Sequence, residues 1–69
     1  MERTRVKSGH LLSVGYDTAT RTLEIEFKNG AVYQYENVSP QKFHAFANAD
    51  SLGEYLAKKI KPVHKVTKI

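Results

Sequence analysis

One dipeptide constrains this chain more than any other: Asn29-Gly30, set between Thr22-Leu23-Glu24-Ile25-Glu26-Phe27-Lys28 and Ala31-Val32-Tyr33-Gln34-Tyr35. Asn and Gly adopt positive φ at little steric cost, so between two alternating runs they signal a β-hairpin. Leu23, Ile25 and Phe27 fall on one face of the first run, and Thr22, Glu24, Glu26 and Lys28 on the other. One face of the resulting sheet is therefore built for water.

The loop length decides what the tyrosines do. A two-residue Asn29-Gly30 loop sets Phe27 opposite Val32 and displays Tyr33 and Tyr35 beside Glu26 and Glu24. A three-residue Lys28-Asn29-Gly30 loop, with Gly30 at the positive-φ position of a bulge, sets Ile25 opposite Tyr33 and Leu23 opposite Tyr35. The second register is favoured, because displaying two aromatics forfeits apolar area that a small core needs. Two tyrosines spaced by two on a displayed face would resemble the stacking platform of RNA-recognition sheets. Glu24 and Glu26 on that face would repel phosphates, and core tyrosines with hydroxyls at the rim are the favoured reading.

The remaining chain supplies one more strand and two helices. Leu12, Val14 and Tyr16 alternate with Leu11, Ser13 and Gly15, the period of a half-buried strand over 10–16. Asp17 is placed to close an Asx turn into the hairpin. Ser39-Pro40 starts a helix, with Ser39 as cap and Pro40 at the first helical position. Phe43, Phe46 and Ala47 share its apolar face, and it should end near Asn48 to Asp50. Ser51-Leu52-Gly53-Glu54 has capping-box spacing and opens a second helix with a stripe of Leu52, Tyr55, Leu56 and Ile60, stopped by Pro62. The expected core is Leu12, Val14, Tyr16, Leu23, Ile25, Phe27, Tyr33, Tyr35, Val38, Phe43, Phe46, Leu52, Tyr55, Leu56 and Ile60. The fold class expected is α+β: a three-stranded antiparallel β-meander packed on one face by two short C-terminal helices. Residues 1–9 read as a loose basic lead-in that Val6 anchors, 10–62 as the single domain and 63–69 as a basic tail.

Chemistry is sparse in this sequence. A chain of 69 residues buries only about 60% of the surface its unfolded form exposes, which leaves little room for a deep enclosed active site. It has no cysteine, and His10, His44 and His64 fall in three separate elements without carboxylates at ligand spacing, so no metal and no cofactor is expected. Ser39 and Ser51 are committed as caps, no Gly-x-Ser-x-Gly elbow surrounds a serine, and no glycine-rich loop joins strand to helix. The expectation is a non-catalytic protein. The charged amino terminus lacks an apolar stretch for a signal peptide or membrane span, so a cytoplasmic location without membrane contact is expected.

Charge is the informative quantity. Eleven Lys and Arg against seven Asp and Glu give a net +4, and no acid follows Glu54. Arg3, Arg5 and Lys7 crowd one end; Lys58, Lys59, Lys61, Lys65 and Lys68 crowd the other. Basic ends attract polyanions through counterion release. Lys58, Lys59 and Lys61 also suit the C-terminal end of a helix, and Glu54 pairs with Lys58 across a turn.

The run Ser13-Val14-Gly15-Tyr16-Asp17, then Leu23 to Phe27, Asn29-Gly30, Tyr33-Gln34-Tyr35, Val38 and Ala49-Asp50-Ser51-Leu52-Gly53 resembles the KTSC domain, and the match runs from about Val6 to Pro62. Its motif positions are met by Tyr33, Tyr35, Ser51 and Gly53, with one departure, Val38-Ser39-Pro40 where the family often has Val-Pro. The family is named after the C-terminal extension of some lysyl-tRNA synthetases and includes stand-alone bacterial and phage proteins. It has no established activity. The resemblance implies an accessory module for structured RNA such as tRNA; the phosphate contacts are then expected from the basic ends, at Arg3, Arg5, Lys7, Lys58, Lys59, Lys61, Lys65 and Lys68. The alternative is a protein-interaction module, and sheet edges would allow a monomer or a weak homodimer.

Overall fold

A computed structural model describes all 69 residues. Five strands form one antiparallel sheet in the order β1-β2-β3-β4-β5: β1 spans Thr4–Arg5, β2 Leu11–Asp17, β3 Thr22–Phe27, β4 Val32–Tyr35 and β5 Val66–Lys68. Helix α1 (Pro40–Ala47) and helix α2 (Leu52–Tyr55), which runs on as a π-helical turn over Leu56–Ile60, connect β4 to β5.

The α+β class stands, while the three-stranded meander grows by a strand at each edge. Both added strands are short and exposed along their whole length. They are held by backbone pairing, Thr4 with Val14 and Arg5 with Ser13 at one edge, Tyr33 with Lys68 and Tyr35 with Val66 at the other. Covering an open strand edge satisfies N–H and C=O groups without burying apolar side chains, so no hydrophobic period marks it. Residues 1–9 and 63–69 thus both carry structure.

The hairpin adopts the three-residue loop. Phe27 N–H donates to Ala31 O at 2.8 Å and Gly30 N–H to Phe27 O at 3.0 Å. Gly30 has φ +94°, and Asn29 Oδ1 accepts from Ala31 N at 3.0 Å. Ile25 then pairs with Tyr33 and Leu23 with Tyr35, which turns both tyrosines to the core face.

One core assignment changes. Leu11 pairs with Phe27 but Ser13 pairs with Glu26, so Leu12 is the extra residue of a β-bulge. The bulge sends Leu11 inward, fully buried, and leaves Leu12 half-buried. Around Leu11, the side chains of Val14, Leu23, Ile25, Tyr35, Val38, Phe46, Leu56 and Ile60 form the buried cluster, with Val6, Tyr16, Phe27, Tyr33, Phe43, Leu52 and Tyr55 against it. Tyr16 stacks on Phe43 with centroids 4.5 Å apart, and its hydroxyl donates to Val38 O. Both helices start as their caps dictate: Ser39 Oγ accepts from Lys42 N at 3.1 Å and Ser51 Oγ from Glu54 N at 3.3 Å. The capping box is half made, since the Glu54 carboxylate turns to Lys58 Nζ at 3.0 Å instead.

The opposite face of the sheet is polar but not bare. Glu24 accepts from Arg3 Nη1 at 3.0 Å and from Gln34 Nε2 at 2.8 Å, and Ser13 Oγ donates to Glu26 at 2.8 Å. Residues 1–3 lie over Gly15, where an added Cβ would meet Glu2 O at 2.5 Å. That close approach is the reason for glycine in mid-strand.

Candidate functional site

The helices do not cover the whole core face. Helix α2 and its π-helical turn cross near Leu11, and beside them the hairpin end of the sheet stays open as a groove with two adjacent lobes. The narrower lobe, about 160 Å³, lies between Phe27 and Tyr35 on the sheet and Gly53, Leu56 and Ala57 on the helix, with His10 and Lys61 at its sides. The wider one, about 350 Å³, is lined by Phe27, Asn29, Tyr33, Tyr35, Lys61 and Val66. Phe27, Tyr35 and Lys61 belong to both.

Local structure explains each position. Tyr33 and Tyr35 share a face because they are two apart on β4, and Phe27 meets Tyr33 edge to face with centroids 5.5 Å apart. Lys61 is aimed by the π-helical turn, whose wider winding closes with Lys61 N–H donating to Leu56 O at 2.8 Å. Such turns recur at functional sites. Val66 and Lys68 pair with Tyr35 and Tyr33 and therefore stand on the same sheet face.

The polar character of the groove is uneven. Lys61 is its one ionic side chain, and no carboxylate lines either lobe. Tyr16 has its hydroxyl satisfied by Val38 O, whereas the hydroxyls of Tyr33 and Tyr35 have no partner within the chain. Burial raises the Tyr35 phenol above its ordinary value, and the neighbouring Tyr33 adds to the shift. Gly53 takes no positive φ, and a Cβ there would come no closer than 3.9 Å to His10 Cδ2. Nothing inside the chain demands a glycine at that wall.

The basic residues do not gather into one patch. Arg3 and Arg5 lie beside and in β1, and Lys65 and Lys68 beside and in β5, with three strands between, a separation of about 19 Å at ordinary strand spacing. Arg3 is engaged with Glu24, and Lys58 pairs with Glu54 on the exposed side. Lys59, Lys61, Lys65 and Lys68 make no ion pair, and all four are exposed. Lys7 is exposed beyond β1. Among the motif residues, Tyr33, Tyr35 and Gly53 converge on the groove, while Ser51 caps α2 beside it. A separate concavity of about 400 Å³ beside Ser51 is lined by Asp50, Glu54, Lys58 and Lys59, mixed charges that offer no net attraction to an anion.

The histidines are dispersed. His10 borders the groove and His44 is exposed on α1. His64 fastens the chain before β5, its Nδ1 2.9 Å from Glu36 O, while Glu36 N–H donates to Lys65 O at 2.9 Å. Since a carbonyl only accepts, Nδ1 carries the proton there. Sequence reasoning reached the tyrosines and Gly53 through their motif but missed His10, Phe27 and Lys61 as their neighbours, because those meet only in three dimensions.

Comparison with known proteins agrees with this architecture. The family model described as KTSC domain matches residues 7–64. The crystal structure of a KTSC domain protein from Yersinia pestis superposes with a TM-score of 0.91 at 38% identity, covering 99% of this chain and 96% of that one. An uncharacterized protein of Stutzerimonas stutzeri (strain A1501) is 44% identical over 64 residues, 93% of this chain and 90% of its own. A protein of Tsukamurella paurometabola is 35% identical over 57 residues, 83% of this chain and 85% of its own. With sequence and fold matched over nearly its full length, the chain belongs to the KTSC domain family.

Proposed function

We propose that the chain is a non-catalytic, cytoplasmic binding module for structured RNA such as tRNA. The observation that carries this reading is that Lys61 and Lys68 are exposed and free of ion pairs beside the aromatic groove, Lys61 in its lining and Lys68 paired with Tyr33 at its edge, with Lys59 and Lys65 exposed and unpaired elsewhere on the C-terminal segment. On the opposite sheet face Glu24 is already paired with Arg3, and Glu26 lies beside Arg3 and Arg5. The reading assigns phosphate contact to the C-terminal lysines and a lesser part to Arg3, Arg5 and Lys7.

The test is a titration with bulk bacterial tRNA at two ionic strengths. Each phosphate neutralised contributes roughly −0.7 to −0.9 to the slope of log K against log salt. Replacing Lys59, Lys61 and Lys68 by Gln should therefore flatten that slope by about 2. An unchanged slope, or no binding at low salt, refutes the proposal.

A second reading, a protein-interaction module, is favoured by one observation. Val63 is 66% exposed, Val66 42% and Ile69 61%, all in or beside the edge strand β5. An edge with apolar side chains suits strand addition by a partner or a second copy. Such binding would persist through moderate salt, because apolar burial is barely screened.

A further inference from the structure

We infer that the groove accepts a single unpaired nucleobase, so that the module reads unstacked nucleotides of an RNA rather than its duplex. This inference rests on the RNA reading above and specifies what that reading leaves open.

Three features of the groove select this occupant. The narrow lobe holds about 160 Å³, the liquid volume of roughly five waters at about 30 Å³ each, which is the scale of one planar ring and not of a stacked pair. Its sheet side is aromatic: half-buried Phe27 presents ring surface, Tyr35, 3% exposed, closes the floor beside it, and every base offers a π-face to such a surface. The polar groups are complementary to a nucleotide. Two unpartnered phenol hydroxyls offer donors and acceptors to a base edge, and Lys61 meets its phosphate with no carboxylate in either lobe to oppose it. The wider lobe then carries the adjoining sugar-phosphate past Tyr33 toward Lys68.

Gly53 supplies an independent argument. A glycine within a helix costs up to about 1 kcal/mol relative to alanine, and neither backbone conformation nor steric conflict calls for one here. Its missing side chain instead leaves the lobe's helix wall open beside His10, as expected where a ligand approaches backbone closely. A base already stacked in an A-form helix cannot enter such a slot; one in a loop or bulge can.

The experiment uses the full chain and RNA hairpins bearing one 2-aminopurine, placed either in the loop or in the stem. Binding should change the fluorescence of the loop probe and leave the stem probe unmoved. Ala57→Leu and Gly53→Ala narrow the lobe from residues outside the buried cluster, and circular dichroism verifies that each folds. Both should weaken loop binding, Ala57→Leu by roughly 5- to 150-fold, the usual range for losing one base–aromatic stack, while leaving the salt slope intact. If RNA binds with a steep salt slope but loop and stem probes respond alike and both variants bind like wild type, the base inference is overturned and the RNA reading stands. If no RNA binds at low salt, both are overturned.

Discussion

Replacing Gly15 by alanine should destabilise this protein, although alanine is the better strand residue. The favourable part is about 0.5–1 kcal/mol, from the backbone freedom that glycine loses on folding. Against it stands a Cβ that would lie 2.5 Å from Glu2 O, 3.0 Å from Arg3 Cγ and 3.3 Å from Met1 Cγ. The two side chains can swing aside, but the carbonyl cannot move without residues 1–3. Their displacement separates Arg3 from Glu24, a carboxylate in a residue only 7% exposed that then keeps Gln34 alone. A hydrogen bond to a charged group contributes about 1.5–3 kcal/mol, and the lower end applies because the Arg3 side chain keeps 31% of its surface in water. The net loss is about 1 kcal/mol, a fall in Tm of roughly 4–8 °C for a domain of this size. Thermal melts of the wild type, Gly15→Ala, Arg3→Ala and the double variant form the assay. Arg3→Ala should cost little in the Gly15→Ala background, where its contact is already gone. A Gly15→Ala protein that melts at or above wild type would refute the reasoning.

The bulge in β2 predicts unequal leucines: Leu11→Ala should cost about 2–5 kcal/mol in a urea melt, and Leu12→Ala clearly less; equal costs would remove the bulge from the account. Because burial raises the Tyr35 phenol, the unfolded chain loses that proton at a lower pH than the native one. Stability from this group is whole below pH about 10 and is lost as pH rises through the native value. Urea midpoints from pH 8 to 11 should therefore fall less steeply for Tyr35→Phe than for wild type, and parallel curves would contradict the burial. Ser39→Ala should lower stability by about 0.5–2 kcal/mol through loss of the α1 cap, and a null effect in the same melt would show the cap to be idle.

Much of this architecture is written locally. Asn29-Gly30 and the alternation of Leu23, Ile25 and Phe27 suffice for the hairpin and, with the area argument, for its register. Ser39-Pro40 and the Ser51 to Glu54 spacing suffice for both helix starts. What escaped is what neighbours decide. A period of two cannot reveal that Leu12 is an inserted residue, because Leu11 and Leu12 are equally apolar and the shift exists only against β3. Strands β1 and β5 bury no apolar stripe and form because edges of β2 and β4 would otherwise lack partners. The π-helical turn has no local signature in Leu56-Ala57-Lys58-Lys59-Ile60. The groove is less legible still, since it joins residues from His10 to Val66: the tyrosines and Gly53 stood out as a motif, Phe27 as core and Lys61 as a basic residue, but nothing local showed that they meet.

The central claim is that RNA is bound on the groove side of the sheet, and amide and side-chain NMR shifts during titration with an RNA hairpin test it residue by residue. The account predicts that Phe27, Tyr33, Tyr35, Gly53, Lys61 and Lys68 move together while Ser13, Glu24 and Glu26 on the opposite face stay still. Shifts confined to Arg3, Arg5 and that opposite face, or no shifts at low salt, would contradict it.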